Sequence, residues 1–245
     1  MAPVTPPAGP AFVGGATGYV GREVVAALRA RGVPTVAHVR PDSKELPAWR
    51  ERFAALGAET DTTPWEAEAF ARTFAERRPG LVFALLGTTR ARAEAGGSSA
   101  AAEYERVDYG MTRIMLDAAV ANGSPRFVYL SAEGVRKGTT NPYLAVRSRL
   151  ESELQASGLP WLIARPAFIT GPDRSEDRPI ERIGALLTDA LLDMLGALGA
   201  RRLRARWHSL NGPELARGLV HLAVDGSTLN QTVHADALRS PQPTA

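Results

Sequence analysis

Cysteine is missing from all 245 residues. Disulfides and thiolate chemistry are therefore excluded, and the composition fits a reducing compartment. Lysine is almost as scarce, with Lys44 and Lys137 the only two. Arginine carries nearly all the positive charge, a skew that reads as coding bias, and the net charge is only +3. The one basic cluster, Arg201-Arg202-Leu203-Arg204-Ala205-Arg206, has no aromatic residue interleaved. It offers no stacking platform for bases, and a solvated cluster is preferred over an anion patch. No nucleic-acid partner is expected. Long apolar runs are missing too. Leu81 to Leu86 and Phe127 to Leu130 have strand length, far short of a membrane span. The opening Met1-Ala2-Pro3-Val4-Thr5-Pro6-Pro7 has neither a basic stretch nor an apolar one, so no secretory signal is expected. These absences lead to the expectation of a cytoplasmic protein without membrane contact and without a metal site.

What is present is a glycine-rich turn. Phe12-Val13-Gly14-Gly15-Ala16-Thr17-Gly18-Tyr19-Val20-Gly21 reads as a short apolar strand, a turn, and a helix continuing through Leu28. Glycines 15, 18 and 21 are spaced for a nucleotide pyrophosphate: the first for the tight turn, the second for backbone approach to phosphate, the third for close helix packing. Thr17, Tyr19 and Val20 complete the candidate cradle, where free N–H groups and the positive helix end favour an anion. Ala16 stands where the second glycine of the usual G-x-G-x-x-G falls. A strand before and an amphipathic helix after favour nucleotide binding over a purely steric turn.

The rest of the chain alternates strand and helix. Strands are expected at 11–14, 34–39, 59–61, 81–86, 126–131, 161–166 and 231–235. Helices are expected at about 18–31, 47–53, from Pro64 to before Arg78-Pro79-Gly80, 103–122, 141–156 and from Pro213 to Ala223. The segment 91–102 reads as a mobile loop or a short frayed helix. Residues 180–198 have a leucine face at helical spacing. This alternation predicts an α/β fold, a doubly wound, mostly parallel sheet. One domain over 11–238 is expected, with a small C-terminal substrate lobe over about 168–230 and flexible tails at 1–10 and 239–245. The helices at 103–122 and 141–156 could meet across a homodimer.

Several side chains carry candidate chemistry. Arg40 ends the second strand, where arginine accommodates the 2′-phosphate of NADP and an acid would bind the ribose of NAD. NADP is preferred over NAD, with Arg40 as a plain surface arginine the alternative. Asp61 has two readings, an adenine-edge contact or a helix cap, and capping is preferred. Leu86-Gly87-Thr88-Thr89-Arg90 lies at the carboxyl edge of the sheet, where ligands bind. There Gly87 would leave room for a ribose, and Thr88 and Arg90 could donate to oxygens; a turn without ligand is the alternative. Ser131 ends the fifth strand, and Tyr143 and Arg147 lie four apart on one helix face. A tyrosine near a cation can give a proton to a carbonyl that receives hydride, and a serine hydroxyl can hold the same oxygen.

Gly15-Ala16-Thr17-Gly18-Tyr19-Val20-Gly21, Val39-Arg40, Leu86-Gly87-Thr88-Thr89-Arg90, Val107-Asp108, Leu130-Ser131-Ala132, Tyr143-Leu144-Ala145-Val146-Arg147 and Arg165-Pro166 occur in one order. Together they resemble an atypical short-chain dehydrogenase/reductase. Leu86 to Arg90 and Asp173 to Pro179 are most similar to the Tat-interacting-protein (oxidoreductase) subgroup. The resemblance covers about 12–235. It implies a Rossmann fold with NADPH held by the glycine turn, Arg40 and the strand-four loop. It also implies a catalytic Ser131/Tyr143 pair and a backbone grip on the nicotinamide from Pro166-Ala167-Phe168. The family carries lysine where this chain has Arg147. Arginine can bind a ribose but cannot relay a proton. Two functions therefore stay open: an NADP-dependent reductase of a small carbonyl substrate, with Tyr143 as acid, Ser131 orienting the carbonyl and Arg147 on the ribose, or a non-catalytic dinucleotide-binding regulator or scaffold.

Overall fold

The computed structural model describes residues 8–88, 99–167, 169–170, 209–226 and 228–239. Four apolar, buried residues make β1 (Ala11–Gly14). The chain then turns into α1 (Tyr19–Ala30), whose Val20, Val24, Val25 and Leu28 form a single buried stripe. β2 (Thr35–His38), α2 (Leu46–Ala55), β3 (Glu59–Asp61) and α3 (Ala67–Arg77) follow, and then β4 (Leu81–Ala84). A long helix, α4, begins as an α-turn (Ala100–Glu103), passes through a π-helical stretch (Tyr104–Met111) and ends as Thr112–Ala121. β5 (Phe127–Leu130), α5 (Pro142–Ala156) and β6 (Trp161–Arg165) come next. Asn141 caps α5 by accepting from the Leu144 N–H, with Pro142 in the first turn, where a missing N–H costs nothing. The last elements are β7 (Ile169–Thr170), β8 (Leu210–Asn211), α6 (Gly212–Asp225), β9 (Gln231–His234) and α7 (Ala235–Leu238).

Seven strands pair in the order β3-β2-β1-β4-β5-β6-β9, and β7 with β8 makes a separate two-stranded sheet. Every pairing is parallel, which the expectation of a mostly parallel sheet understated. This is a Rossmann-like α/β arrangement. Strand order reverses between β1 and β4, so connections leave their carboxyl ends in opposite directions and open a crevice there. β4 is buried throughout, as a central parallel strand must be. One core cluster, around Val24, Leu28, Val128 and Leu219, lies on the α1 and α6 face. A second, around Phe12, Phe70, Phe74 and Leu150, lies on the other.

The α4–α5 surface is laced with charge. Arg149 sits 3.3 Å over the Tyr109 ring, Tyr109 donates to Glu153 at 3.0 Å, and Arg113 pairs with Glu153 at 2.9 Å. Of the sequence expectations, the helix over 180–198, the basic cluster 201–206 and most of the C-terminal lobe and of the 91–102 segment lie outside the described residues. Among the described residues, no helix is long and apolar enough to cross a membrane.

Candidate dinucleotide site

The glycine turn sits at the reversal point. Gly15 has φ +79°, and a Cβ there would lie 2.8 Å from the Leu85 carbonyl carbon and oxygen. At Gly21 an added Cβ would fall 2.0 Å from the Gly15 oxygen. The chain's own packing thus demands both glycines. Gly18 differs: its backbone is ordinary, with φ −72°, and its only close contact would be the Gly15 oxygen at 3.2 Å. No side chain caps α1 at Gly18, and its first turn holds no acid. The helix start therefore presents bare backbone N–H groups, a surface that suits a diphosphate. Beyond the Gly15 oxygen a Cβ at Gly18 would meet nothing within 4 Å, so the backbone there stands open to a ligand and the residues present fit a dinucleotide.

Tyr19 serves the fold as well. Its hydroxyl donates to the Thr170 carbonyl at 3.1 Å and accepts from the Gly212 N–H at 3.2 Å, tying the turn to β7 and α6. Val20 is buried behind the turn, and Thr17 is half-buried beside it. Arg40 follows β2, with its side chain 57% exposed and loosely paired to Asp42 at 3.5 Å. Its neighbour His38 is buried and donates from Nε2 to the Thr63 carbonyl at 2.7 Å. Burial lowers the His38 pKa, so the ring is neutral. Asp61 does not cap α3, whose N-cap is Glu66 with no side-chain bond. It accepts from the Thr63 N–H at 3.0 Å and pairs with Arg77 at 3.2 Å. The capping expectation is corrected, because a two-residue turn uses up the carboxylate before the helix begins.

Beyond β4, Leu86, Gly87 and Thr88 run along the carboxyl edge, and Thr89 and Arg90 lie outside the described residues. The Thr88 N–H donates to Asp108 Oδ2 at 2.8 Å. Asp108 Oδ1 receives Arg147 Nη2, also at 2.8 Å, and Arg147 Nη1 donates to the Leu130 carbonyl at 2.6 Å. The guanidinium carbon stands 4.4 Å over the Tyr143 ring, and Tyr104 meets that ring edge-on at 5.3 Å. A Cβ on Gly87 would lie 3.2 Å from Arg147 Nη2. Burial raises the Asp108 pKa, while the Arg147 charge and the Thr88 N–H pull against it. For Arg147, burial alone would ease loss of the proton, but Tyr143, Tyr129 and Asp108 outweigh it and the pKa moves up. Arg147 is a fixed cation.

In the sequence Asp108 is legible only as part of a motif; an acid in an otherwise ordinary helix does not reveal a partner of Arg147. The π-helical stretch carries Asp108, and such stretches mark functional positions in helices. Ser131 is buried just past β5, and its hydroxyl donates to Glu151 Oε1 at 2.5 Å. Arg165 Nε donates to the same oxygen at 2.9 Å, and Arg165 Nη2 holds the other Glu151 oxygen. The structure therefore stacks Tyr143 on Arg147 and joins them through Asp108 to Thr88. It directs the Ser131 hydroxyl to Glu151. The Pro166 carbonyl accepts from the Glu133 N–H at 2.9 Å. Phe168 lies outside the described residues.

Comparisons with known proteins agree with this geometry. The NAD(P)H-binding family model matches residues 15–189. Protein fmp52-1, mitochondrial, of Aspergillus terreus is 31% identical over 172 residues, covering 68% of this chain and 69% of that protein. A ceramide reductase of Caulobacter vibrioides is 29% identical over 171 residues, covering 70% of this chain and 50% of the reductase. The crystal structure of the Bordetella bronchiseptica enzyme WbmH in complex with NAD+ superposes with a TM-score of 0.63 at 17% identity, over 92% of this chain and 75% of that one. The fungal relatives are named as mitochondrial proteins. That overturns the cytoplasmic expectation: an absence of cysteine does not single out one compartment. Turn, sheet order and family match together make this chain a member of the NAD(P)H-binding family, an atypical short-chain dehydrogenase/reductase.

Proposed function

We propose that the protein is an NADP-dependent reductase of a small carbonyl compound. The observation that carries this reading is the Tyr143–Arg147 stack, 4.4 Å from guanidinium carbon to ring centroid, beside Gly87 and Thr88. Bound NADPH supplies a hydride. Tyr143 gives the proton to the carbonyl oxygen. Arg147 fixes the ring of Tyr143 and brings positive charge beside the nicotinamide ribose. Ser131 orients the carbonyl, which requires its hydroxyl to turn from Glu151 toward the substrate. Arg40 meets the 2′-phosphate through a charge-assisted contact that NAD cannot make. Pro166 would hold the nicotinamide end of the dinucleotide, and Leu86, Gly87 and Thr88 its middle. The reductase named among the relatives supports this class of reaction. Tyr143→Phe is expected to abolish NADPH oxidation across a carbonyl panel and to leave NADPH affinity intact; full activity in that variant refutes the role.

One observation favours a second reading, a non-catalytic dinucleotide-binding regulator. The Ser131 proton is committed to Glu151, and both outer nitrogens of Arg147 are already held by Asp108 and Leu130. Under that reading the wild type binds NADPH and reduces nothing, and Arg147→Lys restores turnover.

A further inference from the structure

The carboxyl edge of the sheet holds a second polar pair that the Tyr143 chemistry does not use. Past β5, the Ser131 N–H donates to the Ala164 carbonyl at 2.8 Å and the Glu133 N–H to that of Pro166 at 2.9 Å. The chain thus keeps its pairing with the end of β6 and carries Glu133 over it. His234 closes β9, in register with Arg165. Glu133 Oε2 and His234 Nδ1 are 2.6 Å apart, with the side chains 3% and 27% exposed. A ring nitrogen that close to a carboxylate oxygen carries the proton. In the neutral ring, Nδ1 is then the donor and Nε2 keeps its lone pair. Nε2 has no hydrogen-bond partner among the described residues. Arg165, in register with His234, hydrogen-bonds to Glu151. A buried carboxylate that fixes one tautomer leaves the other ring nitrogen as a hydrogen-bond acceptor, here on a ring 27% exposed at the edge where ligands bind.

We infer that the Glu133–His234 pair is the polar end of the substrate site, where His234 Nε2 accepts a hydrogen bond from a hydroxyl group of the carbonyl substrate. The inference rests on the reductase reading and narrows it to hydroxylated carbonyl compounds. β9 lies two strand spacings from β5, about 10 Å. The hydroxyl therefore sits several bonds from the reacting carbon. A compound without it leaves Nε2 unpaired, and a site built to bond a hydroxyl disfavours such an analogue.

The test uses the full chain loaded with dinucleotide. Short aldehydes are compared with their ω-hydroxy counterparts of equal length. The wild type is expected to favour the hydroxylated member roughly five- to ten-fold in KM. His234→Asn keeps an N–H toward Glu133 in the place of Nδ1 and has nothing in the place of Nε2. It is expected to bring the hydroxylated member down to the level of the plain one. A preference that survives, or a loss shared by both members, overturns the inference. A second readout needs no turnover: the His234 Cε1–H resonance of the NADP+ complex, assigned by its loss in His234→Asn, is followed while an ω-diol or the matching primary alcohol is added. A shift with the diol alone sustains the hydroxyl site; no shift, or the same shift with both, overturns it. If the wild type reduces no carbonyl, the reductase reading fails and the resonance alone decides this one.

Discussion

Asp108→Leu should cost more stability than Arg147→Met, and only the second cost should shrink toward acid pH. The two side chains are 0% and 6% exposed and 2.8 Å apart. Asp108→Leu strands a buried guanidinium that cannot shed its proton. It also strips the Thr88 N–H of its acceptor. Breaking such a pair from one side costs about 3–5 kcal/mol, and the lost Thr88 bond places this variant toward the upper end. Arg147→Met strands a carboxylate instead, and a carboxylate can take up a proton. Burial already raises the Asp108 pKa against the pull of Arg147. Without Arg147, burial is opposed only by the backbone N–H groups, and the folded-state value climbs further above the unfolded one. The native state then binds more protons than the unfolded state, so stability is greatest below the unfolded pKa and is lost as pH rises through the folded one. The slope reaches at most about 1.4 kcal/mol per pH unit. Urea denaturation followed by circular dichroism at about pH 5 and about pH 8 separates the cases, because only a titrating group changes the penalty between them. The Arg147→Met penalty, measured against wild type, should be smaller at the acid end, and the Asp108→Leu penalty no smaller there, because that variant loses the acid-side stabilisation that the buried carboxyl gives the wild type. The double variant should recover most of the loss, since apolar replacement of a whole buried pair is near neutral. A penalty below about 1 kcal/mol for Asp108→Leu, or equal pH dependence in both variants, refutes the reasoning.

Two further outcomes follow. Arg40→Ala should weaken NADPH binding by about 1.5 kcal/mol, the low end for a charge-assisted bond on an exposed side chain, and barely change NADH; equal calorimetric loss of both dinucleotides removes the 2′-phosphate role. Tyr19→Phe keeps the ring but deletes the bonds to Thr170 and Gly212, so denaturation should show a loss of about 1–3 kcal/mol, and an unchanged midpoint means that the strap does not stabilise the fold.

Local patterns made much of the fold legible. The apolar run from Leu81 shows β4, though Leu85 and Leu86 leave the strand to form the crevice. Asn141-Pro142 and Asn211 with Pro213 mark the starts of α5 and α6 by capping chemistry that needs no tertiary contact. The site was less legible because its bonds join distant residues. Arg147 meets Asp108 across 39 positions, and His234 meets Glu133 across 101. No spacing rule reaches that far. The π-helical stretch Tyr104–Met111 is invisible for a different reason: nothing in its residue types distinguishes it from an α-helix.

The arginine that replaces the expected lysine is better understood through its neighbours than as a single change. A guanidinium is a planar fork with fixed directions, whereas an ammonium is a compact point charge. Burying the fork requires acceptors on its outer nitrogens and room for its width. Asp108 and the Leu130 carbonyl supply the acceptors. Gly87 supplies the room, because the direction a Cβ would take is filled by Arg147 Nη2 at 3.2 Å. A glycine that the sequence reads as space for a ribose is, in the fold, space for the arginine. Asp108 then links that arginine to the Thr88 backbone, so the cation under Tyr143 and the loop along the dinucleotide crevice are held by a single carboxylate. A change at any of Gly87, Asp108 or Arg147 therefore acts on the Thr88 loop and on the Tyr143 ring together.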